Sequence, residues 1–336
     1  MYLNRFINVH ILPEQAQLLI QKYLFIFLLN SLIQNLASTF FILFVISKVG
    51  FAKAGVIMSI MLFFQLLIDY PSGSLGDWIG QRWVFALAYS LYGMAYYILF
   101  LSQSFTDFVI VAIFFGFANA QASGTLSSWR DNNYQKLVSK DLDPERKNFG
   151  FTLARIESLN MIILALTFII GGIMATVISR EIVFLLQSIL SFFTISLILV
   201  LLQDIKIDHL DREEKKTKTE GYFYYLKGGI QFLLSSKVTF LFLIGLSIYT
   251  VTWYIWGSLL LFPIYFGYSG SDGVTGILRT IIYVNGVLIR IYVVSSLSQR
   301  FSVNKIPTLL LGHLVLFFPG LLILLHYLPP QDAFNF

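Results

Sequence analysis

Apolar residues in this chain come in long unbroken runs. Nine of them reach the roughly 20 residues that a helix needs to cross a bilayer. By number they cover about 17–47, 53–74, 83–102, 105–128, 150–178, 181–202, 238–266, 274–296 and 305–328. Their continuity excludes a membrane barrel, whose strands alternate apolar and polar positions. The first and seventh runs are long enough to tilt or to begin as interfacial helices. Two connections are polar and charged: Trp129 to Asn148, and Gln203 to Gly229. The second is the longest and parts six spans from three. This layout predicts an all-α integral membrane protein with three parts: a six-helix bundle over about 1–202, a linker over about 203–237, and a partial three-helix bundle over about 238–336.

Composition supports the same class. The chain is 57% hydrophobic and 12% charged, against about 45–50% and 25% in soluble domains. Charge this sparse cannot coat a globule in water. Its placement then gives an orientation. With the N-terminus in the cytoplasm, only Lys48, Lys53 and Arg180 fall outside, and Arg155, Arg279 and Arg290 fall within spans. The rest of the 23 Lys and Arg lie on the inner side. The expectation is a multi-pass protein of the cell membrane with a cytoplasmic N-terminus. The same placement explains the net charge of +5 without nucleic acid. The absence of cysteine excludes a disulfide scaffold and thiolate metal sites. The first run is too long for the core of a cleaved signal peptide.

The connection between the second and third runs is "DYPSGSLGDWIGQR", Asp69 to Arg82. It reads as a cytoplasmic turn with the pattern Gly73-x-x-x-Asp77-x-x-Gly80-x-Arg82. Gly73 is small enough for close helix approach. Gly80 can take a positive φ in a tight turn. Asp77 can accept hydrogen bonds from a helix N-terminus, and Arg82 can pair with it. The stretch resembles the signature loop of the major facilitator superfamily, and Asp69-x-Pro71-x-Gly73 resembles that family's acid-x-Pro-x-Gly lead-in. Trp78 and Gln81 stand where basic residues are usual. A decayed second copy follows the eighth run in "SSLSQRFSVNK", where Leu297 aligns with Leu75, Gln299 with Asp77 and Ser302 with Gly80. "SGTLSSWRDN", Ser123 to Asn132, also resembles the close of the fourth span in many members. Upstream, Ala112, Gly116, Ala120 and Gly124 recur every four residues, a face suited to helix packing.

The resemblance implies two six-helix halves that rock about a central site, and a small-molecule substrate. It also implies twelve spans where nine are counted. The last three helices are then missing, or a partner supplies them. By resemblance, the first and seventh spans line the central cavity.

Intramembrane polar residues are the functional candidates, because they are costly to bury in lipid. Asn30, Gln34 and Ser38 share one face of the first span, to line a cavity or to bond a neighbouring helix. Tyr249, Trp253 and Trp256 share a face of the seventh, to stack on a flat or cationic solute or to face lipid. Arg155 and Glu157 lie in the fifth span but do not face each other, so Glu157 is expected to pair with Arg290 of the eighth. Arg279 is expected to snorkel toward the outer mouth. His10, His209, His313 and His326 are scattered, and no nucleophile–base constellation is visible, which argues against an enzyme. No Walker loop is present and no cofactor is implied. The leading reading is a secondary transporter. The alternative is a truncated relative that binds or assembles with a partner without transporting alone.

Overall fold

The computed structural model describes residues 2–7, 9–139, 141–143, 146–203 and 261–289, with Ile205 and scattered positions between 227 and 248. Every element described there is a helix: α1 Tyr2–Phe6, α2 Glu14–Asn35, α3 Phe41–Val49, α4 Phe51–Ile79, α5 Gln81–Leu101, α6 Phe105–Ala122, α7 Thr125–Leu137, α8 Lys147–Val177, α9 Arg180–Leu201, α10 Leu261–Ser269 and α11 Asp272–Ile289. Six spans among the described residues are long and apolar enough to cross a membrane. They answer to the first six expected runs. The seventh and eighth runs are described only in part, by α10 and α11, and the ninth lies outside the described residues.

Polar residues set the boundaries. Ser104 caps α6 in a reciprocal box: its Oγ accepts from the Asp107 amide at 3.3 Å, and the Asp107 carboxylate accepts from the Ser104 amide at 2.8 Å. Ser179 caps α9 by accepting from the Ile182 amide at 3.2 Å. Connections at Gly50, Gln103, Ser179 and Gly270 share one end of the bundle, where Lys48 donates to Gln103 at 3.1 Å and lies 3.8 Å from Glu181. Gly80 and the connection from α7 to α8 mark the other end.

Three expectations require correction. The first run is two helices. Over Leu36–Phe40 the chain tightens: Ser38 N–H bonds the Asn35 carbonyl at 3.1 Å and Phe40 N–H the Ala37 carbonyl at 3.1 Å. The Ser38 hydroxyl donates to the Asn35 carbonyl at 2.6 Å, and the Asn35 amide donates to the Ser31 carbonyl at 2.8 Å. Side chains that bond their own backbone compete with the regular helix ladder. Second, most of the Asp69–Arg82 stretch is helix. α4 runs through Pro71 to Ile79, and the turn is confined to Gly80 at φ +99°. The Ser72 hydroxyl lies 2.8 Å from the Asp69 carbonyl and 2.9 Å from the Ala120 carbonyl of α6, which holds the α4 extension in place. Third, the polar connection after the fourth run opens with a helix, α7, separated from α6 by Gly124 in a left-handed conformation. Gly124 therefore leaves the packing face it was expected to share.

The rest of that face packs as its small residues allow. Ala112 and Ala120 are buried. A Cβ placed on Gly116 would stand 2.6 Å from the Met61 carbonyl oxygen and 2.7 Å from Phe64 Cβ. α4 and α6 thus meet backbone to backbone there. In lipid such contact replaces the hydrophobic effect as the force between helices. α5 lies between α6 and α9, and α8 packs on both α2 and α11. Phe44, Phe108 and Phe184 fill the bundle interior, with ring centroids 5.0 Å apart for Phe44–Phe184 and 5.9 Å for Phe44–Phe108. Leu66, Phe63 and Phe193 point outward, 75%, 60% and 59% exposed; in so apolar a chain these faces meet lipid.

Candidate functional site: an amide and tyrosine pocket beside the broken helix

A pocket of about 170 Å³ sits where α2 gives way to α3. Gln34 and Ser38 line it from the broken helix, Tyr96 from α5, Asn119 from α6 and Gln187 from α9. Met58 and Met61 of α4, with Phe41 and Phe115, supply apolar wall.

A ladder of tyrosines builds the polar side. Tyr89, Tyr92 and Tyr96 follow i, i+3, i+7 on α5, one face of a helix. The Tyr89 hydroxyl donates to Asn30 Oδ1 at 2.8 Å, Tyr92 to Asn119 Oδ1 at 2.7 Å and Tyr96 to Gln34 Oε1 at 3.1 Å. Asn119 Nδ2 in turn donates to Gln65 Oε1 at 3.3 Å. Such interhelical bonds in a membrane contribute about 0.6–2 kcal/mol each. Together they fix the amides on α2 and α6 against α5. Gln187, fully buried on α9, donates from Nε2 to the Ile33 carbonyl at 2.6 Å, just ahead of the break.

Ser38 connects the pocket to α11. Arg279 donates to its hydroxyl at 2.9 Å and lies over the Phe168 ring of α8 at 3.9 Å. Arg279 therefore turns into the protein, and the expected snorkelling is corrected: a hydroxyl and an aromatic face inside give the guanidinium a hydrogen bond and a cation–π contact that lipid cannot.

Around Arg279, α8 and α11 form a close seam. A Cβ on Gly172 would stand 2.5 Å from the Asp272 carbonyl oxygen, and one on Gly276 would overlap the Phe168 carbonyl. The Gly273 amide donates to Thr176 Oγ1 at 3.0 Å, and Thr280 donates to the Ala165 carbonyl at 3.0 Å. At the Lys48 end, Arg180 grips Asp272 through two bonds, Nε at 2.7 Å and Nη2 at 2.8 Å. Asp272 is only 7% exposed. On the other face of α8, a Cβ on Gly171 would overlap the Leu36 carbonyl in the break. The glycines of α8 thus touch both the broken helix and α11.

The other expected residues scatter. Asn30 bonds Tyr89 but is not part of the pocket wall. Asp69 and Gly73 are exposed on α4, and no described atom lies within 4 Å of where a Gly73 Cβ would be. The close approach expected there falls instead on Gly76, packed against the Gln81 side chain. The Asp77 side chain is outside the described residues; Arg82 stacks on Trp83 at 5.0 Å. Arg155 bonds the Phe6 carbonyl at 3.2 Å and lies over the Phe6 and Phe151 rings. Glu157 is exposed on α8. Tyr249, Trp253, Trp256 and Arg290 lie outside the described residues. The tyrosine ladder, Asn119, Gln187 and the Arg180–Asp272 pair were not anticipated. The one visible signal was the spacing of tyrosines in "YSLYGMAYY".

The fold defines a polytopic helical membrane protein with an uncharged pocket of mixed polar and apolar lining inside its bundle. The family model of the Major Facilitator Superfamily matches residues 23–332, and the chain belongs to that superfamily, whose members are membrane transporters. No curated protein matches the chain.

Proposed function

We propose that the chain is a secondary active transporter that moves a small solute by alternating access between two helical bundles. The observation that carries this reading is the α8–α11 seam. It joins α8 and α9 to α11 through the Arg180–Asp272 grip and close glycine contacts, and Ser38 links it to the pocket through Arg279. Rigid bundles that rock about a midplane site need such a seam, closed in one conformation and open in the other. The Gly80 end carries Arg82, Arg130, Lys136 and Arg146, and the positive-inside rule assigns it to the cytoplasm. On that assignment the seam is the external gate.

The test uses the cysteine-free background. A Cβ on Gly273 would lie 3.4 Å from Thr176 Oγ1, close enough for the double variant Thr176→Cys, Gly273→Cys to form a disulfide. The purified protein in proteoliposomes is screened for solute uptake, oxidised, then reduced. Uptake that stops on cross-linking and returns on reduction supports the reading. Uptake that continues through a complete cross-link overturns it. Reconstitution of the chain alone also separates autonomous transport from transport that needs a partner to supply further helices.

A further inference from the structure

A second pocket, of about 180 Å³, lies at the Gly80 end of the bundle. Gln15, Leu18 and Lys22 line it from α2, Trp129 from α7, and Gln203 and Ile205 from the chain just past α9. The side past α9 is pinned to α7: the Ile205 amide donates to Asn133 Oδ1 at 2.7 Å, and Lys136 Nζ donates to the Ile205 carbonyl at 3.3 Å. No acid is among the described lining residues, and no ion pair among the described residues takes in Lys22.

Its depth follows from α9. The 22 residues of Arg180–Leu201 make a helix about 33 Å long, close to the roughly 30 Å of a hydrocarbon core. Gln203 comes just after that helix ends, so the pocket sits at the level of the lipid headgroups. It also opens toward lipid. Leu18, Lys22 and Phe25 follow i, i+4, i+7 on one face of α2. Leu18 and Phe25 are 50% and 51% exposed, and Lys22 between them is half-buried. An ammonium on such a stripe keeps its charged head in the polar layer while its stem covers apolar surface. Gln15 and Gln203 are exposed beside it. A small free anion would leave Leu18, Trp129 and Ile205 bare, whereas an amphiphile covers them. The positive-inside rule assigns this end to the cytoplasm, whose leaflet carries the anionic lipids.

We propose that this pocket binds the headgroup of an anionic phospholipid of the cytoplasmic leaflet. Lys22 takes the phosphodiester, the amides of Gln15 and Gln203 bond the headgroup hydroxyls, and an acyl chain lies along Leu18 and Phe25. The volume equals that of about six waters, room for a phosphate and a glycerol headgroup, as in phosphatidylglycerol. A choline headgroup would bring a quaternary ammonium toward Lys22 with no acid among the described lining residues to receive it. This binding does not depend on the transporter reading.

Native mass spectrometry of the delipidated full chain, titrated with single lipids, counts the copies retained. One phosphatidylglycerol per chain should be held about tenfold more tightly than phosphatidylcholine with the same acyl chains. Lys22→Gln should weaken phosphatidylglycerol about fivefold or more, the worth of one basic residue at an anionic surface. Lys147→Gln removes the same charge from an exposed position at the same end and should leave binding unchanged. Where Lys22→Gln does not fold, Gln203→Trp serves: it fills the pocket from its exposed rim without altering Lys22 and should abolish the preference. Glycerol 3-phosphate in tenfold excess should leave the lipid bound, because it has no chain to cover Leu18 and Phe25. Displacement by it would make the pocket a site for soluble phosphates and overturns the lipid as occupant. Equal retention of the two lipids, or equal losses in Lys22→Gln and Lys147→Gln, would mark diffuse attraction to a basic end and also overturns the proposal.

Discussion

Gly172→Ala is the smallest change that tests the proposed alternating-access cycle, in which the α8–α11 seam is closed in one conformation and open in the other. The new Cβ stands 2.5 Å from the Asp272 carbonyl oxygen, 3.2 Å from its carbonyl carbon and 3.3 Å from Gly273 Cα. All three are backbone atoms, so no side chain can swing aside. α11 must shift away from α8 or the seam must open. Overpacking of this kind costs about 1–3 kcal/mol. The gain in helix propensity, about 1 kcal/mol, applies to α8 in both conformations and cancels between them. The full steric penalty therefore falls on the closed seam, shifting the balance toward the open one by roughly 5- to 150-fold.

The assay is labelling of a single cysteine, Ala37→Cys, by a membrane-impermeant maleimide added from the Lys48 side. Ala37 lines the pocket and is 3% exposed, so its labelling reports how often the seam admits water. Gly172→Ala should speed labelling at least fivefold. Gly150→Ala is the control: it lies on the same helix with no described atom within 4 Å of its Cβ, and it should leave the rate unchanged. An unchanged or slower rate in folded Gly172→Ala protein would refute the assignment of the seam as the external gate.

Three further outcomes follow from the same geometry. Arg180→Gln or Asp272→Asn removes one side of a partly buried, two-bond ion pair and should speed Ala37→Cys labelling about tenfold or more, with Arg180→Lys in between. Gly80→Ala forces a side chain to φ +99°, ψ 139°, a conformation costing about 1–3 kcal/mol outside glycine; a lower midpoint in detergent thermal unfolding is the readout. Asp143→Ala strips the buried carboxylate that accepts from the Tyr134 hydroxyl at 2.9 Å and from the Asn148 and Phe149 amides at 2.8 and 3.0 Å. It should cost about 2–4 kcal/mol as lost cap and charge-assisted bonds, whereas Tyr134→Phe should cost about 1 kcal/mol, both read in the same unfolding assay.

What the sequence made legible follows from the range of each interaction. The third, fifth and sixth spans appear within about three residues of their expected bounds, and the fourth begins at its expected residue, because local signals mark the turns: Gly80, the Ser104–Asp107 box, Ser179. The Ala112–Gly116–Ala120 face was legible because small size is itself the requirement for contact. The break at Leu36–Phe40 was not, since its residues are apolar enough to continue a hydropathy run while its cause is side-chain bonding to the backbone. Which glycine of "SGSLG" packs closely depends on the position of Gln81, and spacing does not encode that. The tyrosine ladder pairs residues 59, 27 and 62 positions apart. Arg279 reaches 241 positions back to Ser38. No local pattern reveals such partners, so Arg279, near a span end, was expected to snorkel toward the outer mouth although its hydrogen bond lies inside.

The break ties the pocket to the α8–α11 seam. Leu36 presents its carbonyl to Gly171 of α8, and Ser38, two residues on, accepts from Arg279 of α11 while facing the pocket. In the proposed cycle, opening the seam takes α11 away from α8 and withdraws Arg279 from Ser38, so the bond between them favours the closed seam. Ser38→Ala removes that acceptor and leaves the glycine contacts in place. The Thr176→Cys, Gly273→Cys cross-link should then form at least threefold more slowly than with Ser38 present, a change of about 0.7 kcal/mol or more. An unchanged rate would show that Arg279 does not hold the seam, and the contact of Gly171 with the Leu36 carbonyl becomes the remaining route through the break.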